Sequence, residues 1–77
     1  MLVWQQLDKY AMGTECARYT ICRANVGEKV AYTAWNVRNR KNPETLGTRV
    51  VDMHDKGGRG AAVQALKDEC ENHHELS

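Results

Sequence analysis

Two runs with many hydrophobic positions, residues 17–24 and residues 29–38, flank four residues with turn chemistry. Both stretches are rich in β-branched and aromatic residues, which favour strands. Between them stand Asn25-Val26-Gly27-Glu28, and Gly27 can take the positive φ that a tight connection needs. The sequence therefore predicts a β-hairpin.

Neither face of the second strand is polar. The period of two puts Val30, Tyr32, Ala34 and Asn36 on one face and Ala31, Thr33, Trp35 and Val37 on the other. We expect the C-terminal helix to cover one face and the N-terminal segment or another subunit to cover the second. Trp35 and Val37 are therefore interface candidates.

A third strand is expected at about residues 45–52, where Gly47 indicates a bulge or a close backbone approach under a helix. Residues 54–60 are rich in glycine and are predicted to form a loop. From Ala61 to about His73 no Gly or Pro interrupts a run of good helix formers,. Its predicted apolar stripe consists of Ala62, Leu66, Cys70 and His73.

These elements predict one small α+β domain over residues 1–77. Residues 17–52 would form a three-stranded antiparallel sheet, packed by one C-terminal helix over residues 60–74. Residues 1–13 would form a short helix or an extended segment, because Val3, Leu7 and Tyr10 have helical spacing,.

The composition says little about function, but it indicates the cellular compartment. Three cysteines are an odd number and do not suit a disulfide framework. The first twelve residues do not read as a signal peptide, and no stretch approaches the roughly 20 apolar residues of a membrane span. We therefore expect a cytoplasmic protein.

Charge is uneven along the chain. Residues 18–59 hold nine bases and four acids, which gives +5, whereas residues 60–77 sum to −3 and residues 1–17 to −1. A basic middle points to a partner, either nucleic acid or protein. It is equally typical of solvated strand edges that guard against aggregation. The candidate contact residues are Arg18, Arg23, Arg38, Arg40, Lys41, Arg49 and Arg59.

Two further motifs have an ordinary structural explanation. The run Lys56-Gly57-Gly58-Arg59-Gly60 could seat an anion at a helix start, but it lacks the P-loop spacing, and a flexible connection is favoured. Cysteine and histidine side chains could form a zinc site, but buried free cysteine is the commoner state. These residues are Cys16, Cys22, Cys70, His73 and His74. We predict no metal and no cofactor.

Catalysis is not predicted. His54 and Asp55 are adjacent, but neighbours in a loop seldom converge on a third group, and a one-helix domain offers little concave volume. The protein is expected not to be an enzyme.

The pattern Tyr19-x-Ile21, Gly27, Tyr32-x-x-Trp35, Leu46-Gly47 and Ala61-Ala62…Cys70…His73 resembles short phage- and prophage-encoded β-β-β-α proteins over residues 4 to about 74. Members of that group mostly lack an assigned function. The resemblance implies an accessory role in a bacterial cell, such as inhibition of a host enzyme, an anti-defence role or regulation.

The β-β-β-α order is also similar to the AP2-type DNA-binding domain and the arm-binding domain of phage integrases, which present the sheet to DNA. The matching positions would be Arg18, Arg23, Arg38, Arg40 and Arg49. The expected function is therefore non-enzymatic binding of a host or phage protein through the sheet and its basic loop. The alternatives are DNA binding by the same surface and a homodimer formed through the face with Trp35 and Val37.

Overall fold

The computed structural model describes residues 2–38 and 41–76, which form five strands and one helix. The strands are β1 (Trp4–Asp8), β2 (Ala11–Thr14), β3 (Tyr19–Val26), β4 (Lys29–Asn36) and β5 (Glu44–Asp52), and the helix is α1 (Lys56–Leu76). The strands lie in one antiparallel sheet in the order β1-β2-β3-β4-β5. The predicted α+β class, antiparallel sheet and C-terminal helix are confirmed, but the predicted number of three strands is wrong.

The N-terminal segment supplies the two additional strands. β1 and β2 form a hairpin whose turn is held by the Asp8 carboxylate, which accepts a hydrogen bond of 2.7 Å from the Tyr10 N–H. β2 then pairs with β3, so its backbone groups bond to the neighbouring strand. The helical spacing was misleading because Val3, Leu7 and Tyr10 are all exposed and form no buried stripe.

The central hairpin is formed as predicted. Val26 of β3 is paired with Lys29 of β4, which leaves a two-residue turn of Gly27 and Glu28. Gly27 has a φ of 62° and occupies the first central position, where a type II′ turn requires glycine.

The glycine-rich stretch is helical rather than a loop, so α1 begins several residues earlier than predicted. Asp55 is the N-cap: its carboxylate accepts a hydrogen bond of 2.9 Å from the Gly58 N–H, and its carbonyl accepts one of 2.9 Å from the Arg59 N–H. A Cβ on Gly58 would lie 2.8 Å from the Asp55 Cγ. Glycine at position 58 therefore leaves space for the Asp55 carboxylate. The resulting N-cap stabilises the helix start and outweighs the low helix propensity of the glycines.

The hydrophobic core lies between α1 and one face of the sheet, here called the helix side. The predicted stripe of α1 is confirmed, with Ala62, Leu66 and Cys70 buried and His73 partly buried. The buried core residues are Leu2, Tyr19, Ile21, Val30, Tyr32, Ala34, Ala62, Leu66 and Cys70. The His73 Nδ1 lies 2.8 Å from the Tyr19 hydroxyl.

Gly47 lies where β5 passes beneath α1. A Cβ at this position would lie 3.3 Å from the Leu66 Cδ2 and 3.1 Å from the Glu69 Cδ. The register of β5 against β4 also shifts between Ala34 and Trp35. Both the predicted close approach and the predicted bulge are therefore present.

The second face of the sheet, here called the open face, has no element across it in the described chain. Because side chains alternate along a strand, the neighbours of the buried core positions point to it. Its members on β2 to β5 are Ala11, Gly13, Thr20, Cys22, Ala24, Val26, Lys29, Ala31, Thr33, Trp35, Thr48, Val50 and Asp52. The N-terminal segment extends this face instead of covering it, contrary to one of the two expected coverings.

Candidate binding surfaces

The basic residues chosen from the sequence do not form one patch. Arg18 and Arg38 line a cleft with His74 near the end of α1, Arg23 and Arg59 line a different cleft beside its first turns, and Arg49 is paired with Glu69. Lys41 is exposed in the loop before β5, and Arg40 lies outside the described residues. The structure thus brings together Arg23 with Arg59 and Arg18 with Arg38.

The strongest concentration of positive charge follows the start of α1. A cleft of about 450 Å³ contains Arg23, Lys56, Arg59 and Lys67 among its lining residues. It adjoins a second cleft of about 170 Å³ that contains Lys9 and shares Arg23, Tyr32 and Val63 with the first. We name the two together the basic groove, defined by Lys9, Arg23, Lys56, Arg59 and Lys67.

No acidic residue lines either cleft of the basic groove in the described part of the chain. Within residues 2–38 and 41–76, none of its cations forms an ion pair. The Nε atoms of Arg23 and Arg59 are buried and have no hydrogen-bond partner there. The positive charge of these side chains therefore suits a negatively charged ligand.

Aromatic rings hold several of these cations in place. The Tyr10 ring centroid lies 5.5 Å from the Lys9 Nζ and 5.8 Å from the Arg23 Cζ, and the Trp4 ring lies 5.9 Å from the Lys67 Nζ. These distances are in the range of cation–π contacts. The groove therefore combines positive charge with a ring that is 46% exposed, that of Tyr10.

The cleft of Arg18 and Arg38 has a volume of about 420 Å³ and contains the exposed thiol of Cys16. The Thr14 hydroxyl, 3.3 Å from the Cys16 Sγ, lowers the pKa of this thiol, and a hydrogen bond from the Arg18 backbone lowers it further. The Arg18 guanidinium lies 5.2 Å from the Tyr19 ring centroid, and its Nη1 lies 3.5 Å from the His74 Nδ1. This end of the molecule is therefore also basic.

The cysteines do not converge. Cys22 is exposed on the open face and Cys70 is buried beneath α1, where burial raises the pKa of its thiol to about 11. Within the described ranges no three His, Cys, Asp or Glu side chains are grouped so that they could hold a metal ion. The zinc arrangement considered from the sequence is therefore not assembled.

The interface candidates Trp35 and Val37 lie on and beside the open face and are both partly exposed. Val37 borders a shallow cleft of about 400 Å³ with Leu7, Gly13, Thr20 and Pro43 among its lining residues. Trp35 is the direct cross-strand neighbour of Thr20.

Sequence reasoning missed Lys9 and Lys67 as members of the basic groove. It considered Lys56 as part of an anion seat at the helix start but favoured a flexible connection. The first two lie outside the basic middle of the chain and are brought in by β1–β2 and by the middle of α1. A signal was present for Lys56, because Asp55 precedes it and an aspartate before a helix is a typical N-cap.

The only helix of residues 2–38 and 41–76 is not apolar enough along its length to cross a bilayer. Comparison with protein-family models, with curated proteins and with solved structures finds no match to this chain.

Proposed function

We propose that this chain is a small, non-enzymatic accessory protein of phage or prophage origin. It acts in the bacterial cytoplasm by binding an acidic segment of a partner protein in its basic groove. The observation that carries the proposal is the groove itself, in which Lys9, Arg23, Lys56, Arg59 and Lys67 line two adjoining clefts without an acidic residue. The phage setting rests on the resemblance in sequence.

The electrostatics support this partner. Like charges that are held together without counter-charges destabilise the free protein, and a partner that supplies carboxylates relieves this repulsion. The groove is concave and lies between α1 and the β2–β3 part of the sheet. Carboxylates of an extended peptide would there meet Lys9, Arg23 and Lys67, which lie against aromatic rings.

An AP2-like mode of DNA binding is less well supported. Arg23 and Arg49 alternate with the open-face residues, so they lie on the helix side. Arg49 is 2.8 Å from Glu69. The open face, which those domains would present to DNA, is mostly neutral. Acidic residues follow the groove along α1 at Asp68, Glu69 and Glu71 and would repel a duplex that extended past it.

Nucleic acid is the second candidate because of Tyr10. Its exposed ring lies between Lys9 and Arg23, and an aromatic ring beside cations is the usual platform for an unpaired base. A single strand would place phosphates on the same cations as the carboxylates of an acidic peptide.

Binding of a labelled oligoglutamate peptide, followed by fluorescence anisotropy at about 0.15 M salt, tests the proposal. We expect binding that weakens with salt and is abolished in the double variant Lys56→Glu, Arg59→Glu. Acidic residues suit the first turn of a helix, so this variant should keep its fold. The control Lys29→Glu, Lys41→Glu makes the same change in net charge away from the groove and should retain most of the binding.

The same titration with a labelled single-stranded oligonucleotide and with a duplex separates the candidates. Tighter binding of the oligonucleotide than of the peptide, lost on Tyr10→Ala, would replace the protein partner with nucleic acid. Equal loss in both double variants, or no binding of any probe, would remove the basic groove as a binding site.

A further inference from the structure

The open face carries most of the large hydrophobic side chains that are exposed among the described residues. Val26 and Val50 are 62% and 59% exposed on its strands, and Leu7 and Val3 are 55% and 54% exposed on the β1 side. The other two are Tyr10 and Leu76. Trp35, which is partly buried, lies among small residues near the centre. An apolar surface of this kind usually marks an interaction site.

The strand register puts large and small residues at mirrored positions on this face. One row across the sheet runs through Gln5, Gly13, Thr20 and Trp35. Gly13 lies one strand to one side of β3, and Trp35 lies one strand to the other side. Gly13 itself is buried beneath the Leu7 side chain, and both residues border the cleft of about 400 Å³ described above. The Trp35 ring and the Leu7 side chain thus lie on opposite sides of β3.

We propose that two copies of this chain pack open face to open face about a twofold axis parallel to β3. Rotation about such an axis leaves each residue at the same position along the strand direction. It exchanges the side of β3 on which β2 lies with the side on which β4 lies. It therefore sets Trp35 of each copy over the Leu7 side chain that covers Gly13 of the other, a self-complementary contact as a twofold interface requires,. Cys22, in the middle of β3, comes to face Cys22 of the second copy.

The size and charge of the face suit a second copy. Strands rise about 3.4 Å per residue and lie about 4.8 Å apart, so the face covers roughly 500 Å² per copy. The total of about 1,000 Å² is at the lower limit for a specific interface. The rows through Thr20 and through Cys22 and Thr33 carry no charge on β2 to β5, and Lys29 faces Asp52 across the strands at one end.

Sedimentation velocity over a range of concentrations tests the dimer, with Thr33→Glu as the disrupting variant. Thr33 lies between Cys22 and Thr48, and the twofold axis along β3 sets it over Ala11 of the second copy, so each new carboxylate would be buried in the interface without a counter-charge,. We expect the wild type to pass from monomer to dimer, and the variant to associate at least about a hundredfold more weakly. Asn72→Glu adds the same charge to an exposed position of α1 and should dimerise like the wild type.

A thiol cross-link tests the position of the axis. In a Cys16→Ser variant, a short bismaleimide should link two facing Cys22 thiols, because packed sheets stand about 10 Å apart, too far for a direct disulfide. Each thiol adds across one maleimide double bond, so no oxidant is needed. We expect a linked dimer, which Thr33→Glu should reduce sharply. A wild type that stays monomeric at every concentration, or a dimer unaffected by Thr33→Glu, would overturn the proposal.

Discussion

The two faces of the sheet are made by the same strands but differ in how much of their apolar surface is buried. On the helix side, Tyr19, Val30 and Ala34 have no exposed surface, whereas Leu7 and Val50 on the open side are more than half exposed. Hydrophobic stabilisation is roughly proportional to the apolar area removed from water. The folding energy of a single copy therefore comes mainly from the helix side.

Charged side chains are also distributed unequally between the two faces of the sheet. The cations of the basic groove lie where the helix side meets solvent, and the open face is largely neutral. One side of the sheet thus combines the core with an electrostatic site at its margin, and the other offers apolar surface. The two proposed interactions therefore use separate surfaces and can be disrupted separately.

The largest test of this comparison is the same substitution on both faces. Leu66→Ala should lower the free energy of unfolding by about 2–4 kcal/mol, because this side chain has no exposed surface and its removal leaves a cavity beneath α1,. Leu7→Ala should cost less than about 1 kcal/mol, since Leu7 is 55% exposed,. Urea unfolding, at a concentration low enough to keep the protein monomeric, measures both.

Similar losses for Leu66→Ala and Leu7→Ala would contradict the division into a packed and an open face. Gln64→Ala is the control for helix propensity in the Leu66 experiment. Its side chain is exposed on α1 and bonds only to Asp68 among the described residues, so the change should be nearly neutral.

A second pair compares glycines on the two faces. Gly47→Ala should destabilise by about 1–3 kcal/mol, because the new Cβ would press on Leu66 and Glu69 in a packed layer,. Gly13→Ala should have a smaller effect. The nearest atom to its Cβ, at 3.0 Å, is the Leu7 Cδ1, which belongs to an exposed and movable side chain. Thermal unfolding of both variants should therefore show a lower midpoint for Gly47→Ala.

Much of this fold could be predicted from the sequence, because alternation and local turn chemistry are local signals. The β3–β4 hairpin, the alternating faces and the stripe at Ala62, Leu66 and Cys70 follow from spacing alone. The β1–β2 hairpin could not be found in this way. Val3, Leu7 and Tyr10 satisfy a helical period by coincidence, and the strands are stabilised by pairing with β3 and by Trp4 and Met12, which pack against the core.

The basic groove depends on contacts that are distant in sequence. Lys9 and Lys67 reach Arg23 only because β1–β2 and α1 flank the same part of β3. The charge count over residues 18–59 correctly indicated an excess of bases, but it could not show that Arg49 would pair with Glu69. Composition shows how many charged residues the chain carries, but the topology determines which of them lie close together.

The smallest predicted effect is a pH dependence that differs between the two faces. Burial, followed by the nearby Glu69 and Glu71, raises the pKa of the Cys70 thiol from 9.0 to about 11. Between these values the unfolded chain loses the proton and the folded chain keeps it, so stability falls as pH rises from about 9 through about 11. The loss is about 1 kcal/mol at pH 10. Urea unfolding at about pH 8 and pH 10 should show a smaller loss in Cys70→Ala than in wild type, and Cys22→Ala should keep most of it. An unchanged loss in Cys70→Ala would assign the titration to another group, such as Cys22 or Tyr19, whose pKa values burial also raises.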